Sequence, residues 1–137
     1  MTSPGVEATR AQRSVLAVDD DPSILGLMAD ILSGEGYRVV SASDGRQALD
    51  LLAQEPVCVV LLDMRMPRLD GWGFARELRQ RGQRLPVVVV TAAENARAWA
   101  EEIGADAYLA KPFQLADLLE IVERFCGEDR SAEGPAA

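Results

Sequence analysis

Histidine does not occur anywhere in the 137 residues. That absence removes a histidine general base, a Ser/His/Asp triad, a histidine metal site and any phosphohistidine role for this chain. Cysteine is nearly absent too. Cys58 and Cys126 are too few for a disulfide framework or a thiolate zinc site. They read as inert small hydrophobes, with a reduced, cytoplasmic compartment as the expectation. Positive charge is in deficit, 14 Lys and Arg against 22 Asp and Glu, a net −8. A surface of that sign argues against duplex nucleic acid, whose phosphates require a basic face. Long hydrophobic runs are missing: the longest, at 57–62 and 85–90, reach about a third of what a membrane-spanning helix needs. The start of the chain carries no apolar core of a signal peptide. No internal repeat is visible.

What is present is the composition of a globular domain, 48% hydrophobic and 26% charged, at a length suited to one core. Residues 1–13 and 127–137 are rich in Gly, Pro, Ser, Ala and charge and read as disordered tails. An ordered block, 14–126, is expected between them. Within it, short apolar runs at 15–18, 38–42, 57–62, 87–91 and 107–110 are near-continuous rather than alternating, the pattern of strands buried on both faces. Helical periodicity lies between them. Ile24, Met28, Ile31 and Leu32 recur at three- and four-residue spacing before Gly34 and Gly36; Ser43 or Asp44 opens a second helix; Trp72 to Arg81 forms a third, and Glu94 to Ile103 a fourth. Leu115, Leu118, Leu119, Val122 and Phe125 make the stripe of a fifth. Strand and helix thus alternate five times, which predicts an α/β fold: an open parallel sheet with helices on both faces. Ligands bind such sheets beyond the carboxyl ends of their strands.

The residues at those ends are informative. Asp19, Asp20 and Asp21 follow the first strand, Asp63 the third, Thr91 the fourth, and Lys111 and Pro112 the fifth. Carboxylates gathered on one rim repel unless a cation is present. With no soft or imidazole ligand, the set suits a hard divalent ion, and Mg²⁺ leaves room for phosphate oxygens. A carboxylate nucleophile, a metal, a lysine and a hydroxyl together fit phosphoryl transfer. Asp63, alone at the end of the most hydrophobic strand, is the candidate nucleophile; Asp19 and Asp20 are the candidate metal holders.

V-L-A-V-D-D-D-P (15–22), L-L-D-M-R-M-P-x-x-D-G (61–71), V-V-V-T-A (88–92) and G-A-D-A-Y-L-A-K-P-F (104–113), in that order, resemble the receiver domain of bacterial two-component response regulators. The resemblance implies a flavodoxin-like five-stranded parallel sheet of order 2-1-3-4-5 with five helices. It implies Asp63 as phosphoacceptor, Asp20 as direct Mg²⁺ ligand, Asp19 as a ligand through water, and the Arg65 carbonyl completing the metal shell. Thr91 and Lys111 would meet the phosphoryl group, Tyr108 would follow Thr91 as a switch, and Lys111–Pro112 would be cis. The implied partners are a sensor histidine kinase or histidine phosphotransferase, a downstream protein and, in the phosphorylated form, a second copy of the chain. No direct nucleic-acid or membrane role is expected. The implied chemistry is the chain's own phosphotransfer and dephosphorylation, with output by protein contact since no effector domain follows residue 126. Arg65 and Ala93 are expected to flank the water path to the acyl phosphate, and the small Ala92 to leave the site open to a donor.

Several of these residues also have plain structural readings. Asp21 before Pro22 suits a helix N-cap. Thr91 suits a strand end or a cap, and Asp70–Gly71 a helix-opening turn. Arg76, Arg79, Arg81 and Arg84 suit a solvated face. Trp99 suits an outward interface anchor or packing against the fifth helix. Two rival functions remain: an Mg²⁺-dependent phosphohydrolase using Asp19 in D-x-D-x-S (19–23), and a binding module that does not use phosphorylation.

Overall fold

The computed structural model describes residues 13–127. Five strands, β1 (Ser14–Val18), β2 (Arg38–Ala42), β3 (Val59–Leu62), β4 (Val87–Ala92) and β5 (Ala107–Lys111), alternate with five helices. These are α1 (Pro22–Gly34), α2 (Gly45–Gln54), α3 (Gly71–Gln80), α4 (Ala93–Ile103) and α5 (Leu115–Cys126). The strands form one parallel sheet in the order β2-β1-β3-β4-β5. This is the flavodoxin-like sheet order that the resemblance implies.

Alternation of side chains along the strands divides the core into two layers. Leu16, Val18, Val60, Leu62 and Val89 pack with Ala48, Leu49, Leu52, Phe74, Leu78, Ala100 and Ile103 of α2, α3 and α4. Val15, Ala17, Val59, Leu61, Val88 and Val90 pack with Met28 and Leu32 of α1 and Leu118, Ile121 and Val122 of α5. Because both faces are covered, every residue of β1 and β3 is buried. That is why those segments carry no polar alternation. The outer strands β2 and β5 are only partly buried.

Helix boundaries follow local chemistry. The Asp21 side chain accepts the Ser23 N–H, with Pro22 opening α1. Asp44, not Ser43, caps α2 through the Gln47 N–H, and Asp70 caps α3 through the Gly73 N–H. The residue at the N-cap of α4 is Ala92 and makes no side-chain cap bond, so Thr91 is not a cap. Gly104, at φ 68°, ends α4 in the left-handed conformation.

Several expectations are corrected here. The third strand starts at Val59, two residues later than the apolar run. Arg13, assigned to the N-terminal tail, is anchored. Its guanidinium donates to the Glu35 and Gly36 carbonyls and lies over the Tyr37 ring, and its carbonyl accepts the Arg38 N–H. The rest of that tail, and residues 128–137 of the other, lie outside the described residues. Cys58 and Cys126 are not independent hydrophobes: they are joined in a disulfide, Cα to Cα 5.4 Å, tying the approach to β3 to the last residue of α5. Their separation of 68 residues carries no local signal; only the packing of α5 beneath β3 makes them neighbours. Trp99 is half-buried and packs on the α3 side of the sheet, edge-on to Trp72, rather than against α5. Among the described residues no helix is long and apolar enough to cross a membrane.

Candidate functional site

Parallel pairing brings the chemistry-bearing residues to one rim. Val18 of β1 is level with Leu62 of β3, and the Asp63 N–H donates to the Val18 carbonyl at 2.9 Å. Asp19 and Asp63 therefore leave the sheet side by side. Thr91 and Ala92 at the end of β4 are level with Ala110 and Lys111 of β5. Asp19, Asp20 and Asp63 each offer a carboxylate oxygen within 4.8 Å of the others. Asp19 and Asp63 are buried at 1% and 7% exposure, whereas Asp20 is exposed. The acids expected to converge do so.

Each buried acid is held. Asp19 Oδ1 accepts the Asp21 N–H at 2.9 Å, which shapes the turn into α1. Its Oδ2 accepts from Lys111 Nζ at 2.7 Å, and the same ammonium lies 3.5 Å from Asp63 Oδ1. Lys111 is the last residue of β5, and its peptide bond to Pro112 is cis. Burial pulls the Lys111 ammonium down, but its bond to Asp19 and the charges of Asp63 and Asp19 outweigh it, and its pKa is raised. Asp63 moves the other way from an ordinary carboxyl. Burial and the Asp19 charge push it up to about 6, Asp20 adds to the push, and Lys111 and the Met64 N–H only partly offset it. One ammonium does not neutralise three acids.

That imbalance is the test of whether a cation fits. Three oxygen donors in reach of one another, two of them buried and one destabilised as an anion, form a hard, oxygen-only donor set of the kind Mg²⁺ prefers. Thr91 is buried at 6% exposure at the end of β4, and Tyr108 of β5 is 46% exposed. The ring of Tyr108 thus lies at the surface.

The loop after Asp63 is fixed from two sides that the sequence did not announce. Arg68 adopts φ 64°, a left-handed conformation for a non-glycine residue. Its Nε donates to Asp44 Oδ2 at 2.6 Å, and the Gly45 N–H donates to the Leu69 carbonyl at 2.8 Å. The bond to Gln47 and the Arg68 charge, against the opposing effect of burial, hold the Asp44 carboxyl below its ordinary value. Gly71 closes the loop: its N–H donates to the Met64 carbonyl at 2.9 Å, and a Cβ there would lie 2.8 Å from Met64 Cα. On the other side, the Arg65 guanidinium sits 5.0 Å from the Trp99 ring centre. The arginines near α3 are partly engaged. Arg79 donates to the Ile103 carbonyl and Arg81 lies 3.8 Å from Glu77.

With this geometry in place, similarity to known proteins can be read. Residues 15–123 match the family described as the response regulator receiver domain. The response regulator MprA of Mycolicibacterium vanbaalenii is 41% identical over 128 residues, covering 89% of this chain and 55% of that protein. MprA of Mycobacterium leprae is 43% identical over 107 residues, 77% of this chain and 47% of its own. The chain spans about half the length of these curated relatives. Among solved structures, the chemotaxis protein CheY4 of Vibrio cholerae aligns with TM-score 0.73 at 32% identity, over 82% of this chain and 97% of that one. The receiver domain of the sensor histidine kinase PA1611 of Pseudomonas aeruginosa has a magnesium ion coordinated in its active site cleft. It aligns with TM-score 0.76 at 34% identity, over 85% of this chain and 98% of that one.

Proposed function

This chain belongs to the response regulator receiver domain family, and on that premise we propose that it accepts a phosphoryl group from a partner's phosphohistidine onto Asp63. The observation that carries the reading is Asp63 itself: a buried carboxylate beside two further acids and 3.5 Å from an ammonium. A donor must come from outside, because the chain has no histidine. It is the sensor histidine kinase or histidine phosphotransferase of a two-component pair.

In the reaction an Asp63 oxygen attacks phosphorus. The new O–P bond forms as the N–P bond of the phosphohistidine breaks, and the imidazole leaves with the electron pair and takes up a proton from solvent. Asp19, Asp20, Asp63 and the Arg65 carbonyl would hold Mg²⁺, with Asp20 as a direct ligand and Asp19 acting through water. The ion, when bound, offsets charge on the transferring group. Lys111 moves from its bridge between Asp19 and Asp63 to an oxygen of the phosphoryl group. Thr91 donates to another, and Tyr108 turns inward to the space Thr91 leaves. The product adds about −1.5 to −2 charge at a rim already rich in acids. A second protein then reads the altered surface of α4, β5 and α5, either a downstream target or another copy of the chain. The setting is cytoplasmic, with residues 14–126 as the working domain.

The phosphohydrolase reading needs Asp19 as nucleophile. That carboxylate is 1% exposed and both its oxygens are engaged, one by the Asp21 N–H and one by Lys111, so Asp63 is the better nucleophile. The phosphorylation-independent module leaves the Lys111 bridge between two acids without a use. Labelling with a phosphorylated histidine kinase, or with a small phosphodonor, in Mg²⁺ tests the proposal. The wild type is expected to label and Asp63→Asn to lose labelling altogether; labelling retained in Asp63→Asn overturns it.

A further inference from the structure

Arg65 faces two ways. Its backbone follows Asp63 by two residues, in the loop that the proposed metal site uses. Its guanidinium is spent elsewhere, over the indole of Trp99 on α4, 5.0 Å from the ring centre. Trp99 in turn meets Trp72 of α3 edge-on, ring centres 5.0 Å apart and planes inclined by 66°. Trp72 Nε1 donates to Glu102 Oε1 at 2.8 Å, returning the chain of contacts to α4 one turn further along. Four side chains from the β3–α3 loop, α3 and α4 thus form one connected group. None of the four is on β4 or β5, which carry Thr91 and Tyr108.

We propose that Arg65 and Trp99 form a positioning pair that couples occupancy of the metal site to the placement of α4. The inference rests on the metal reading above and concerns a route that Thr91 and Tyr108 do not supply. The physical reason is connectivity. A carbonyl drawn onto a cation re-orients the peptide that carries it, and the guanidinium on the same residue must either shift over the indole or carry the indole with it. The stack is directional, since guanidinium planes pack on aromatic faces. Binding energies are reciprocal. If the metal moves Trp99, then removing the Trp99 ring changes metal affinity, by about two- to five-fold for a cation–π contact at a partly exposed site.

The indoles report the coupling directly. In Trp72→Phe, Trp99 becomes the single indole, and Mg²⁺ titration is expected to change its emission. Adding Arg65→Gln, which keeps the backbone carbonyl and removes the cation, is expected to abolish most of that change and, by the same reciprocity, to shift the Mg²⁺ affinity read by calorimetry about two- to five-fold. Arg65→Lys, which retains the charge, is expected to restore part of it. Circular dichroism checks that each variant is folded, and the same pair of titrations in the Trp72 background guards against damage from Trp72→Phe. An emission change that survives Arg65→Gln undiminished overturns the coupling while leaving the metal site intact. Calorimetry that records no Mg²⁺ binding to the wild type overturns the metal reading, and this inference with it.

Discussion

Asp63 carries a charge that the metal-free fold does not welcome. Its carboxyl sits at about 6 instead of the ordinary 3.8 because of burial and the neighbouring Asp19 and Asp20, against the weaker pull of Lys111. The sign follows from linkage. A carboxyl raised in the folded state holds a proton between about pH 4 and 6 that the unfolded chain has released, so the folded state loses relative stability as pH rises through that window. Above it the full penalty, about 2–3 kcal/mol, is present. Two outcomes are expected. In metal-free protein at pH 7, Asp63→Asn raises the thermal midpoint, where an ordinary surface carboxyl would leave it unchanged. In the wild type, calorimetric Mg²⁺ affinity is level above about pH 6 and falls by about tenfold per pH unit below it, as protons compete for the same oxygen. An affinity that does not vary between pH 5 and 8 contradicts the raised carboxyl.

At the scale of elements, the joint between α2 and the β3–α3 loop shows how a site is held by residues with no chemical role. Asp44 is 4% exposed and does two things, capping α2 through the Gln47 N–H and fixing Arg68 in its left-handed conformation. Asp44→Ala is expected to remove both and to lower stability by about 1–2 kcal/mol in a denaturant titration. A loss of only a few tenths would mean that neither bond matters. This joint also marks where sequence reading stops. The strands were legible because β1, β3 and β4 are covered on both sides, and their apolar runs have no competing explanation. The acids and Lys111 were legible because parallel strands deliver their carboxyl ends to one rim, so position along the chain translates into position in space. Arg68 was not legible, since arginine has no preference for positive φ and its partner Asp44 is distant in the chain. Nor was the place of Trp99. A helical period says that one face is buried, not which neighbour buries it, and here α3 rather than α5 does so.

For the molecule as a whole, the disulfide between Cys58 and Cys126 closes most of the described chain into a loop, and α5 ends on it. It lies at the opening end of β3, away from Asp63, which follows the other end. Reduction is therefore expected to lower global stability, by about 2–4 kcal/mol on loop-closure grounds, and to leave phosphoryl labelling intact. Thiol titration of the unfolded protein before and after reductant, paired with thermal melts, reads both. Beyond that brace, the molecule is a scaffold that sets Asp19, Asp20, Asp63 and Lys111 within reach of one another, and the proposed function turns on which of the acids takes up phosphorus. Reductive trapping of the acyl phosphate after reaction with a phosphodonor and Mg²⁺, followed by peptide mass spectrometry, asks that question directly. The expected result is a single trapped residue, Asp63; a trapped residue at Asp19 or Asp20, with Asp63 unmodified, would contradict the central claim.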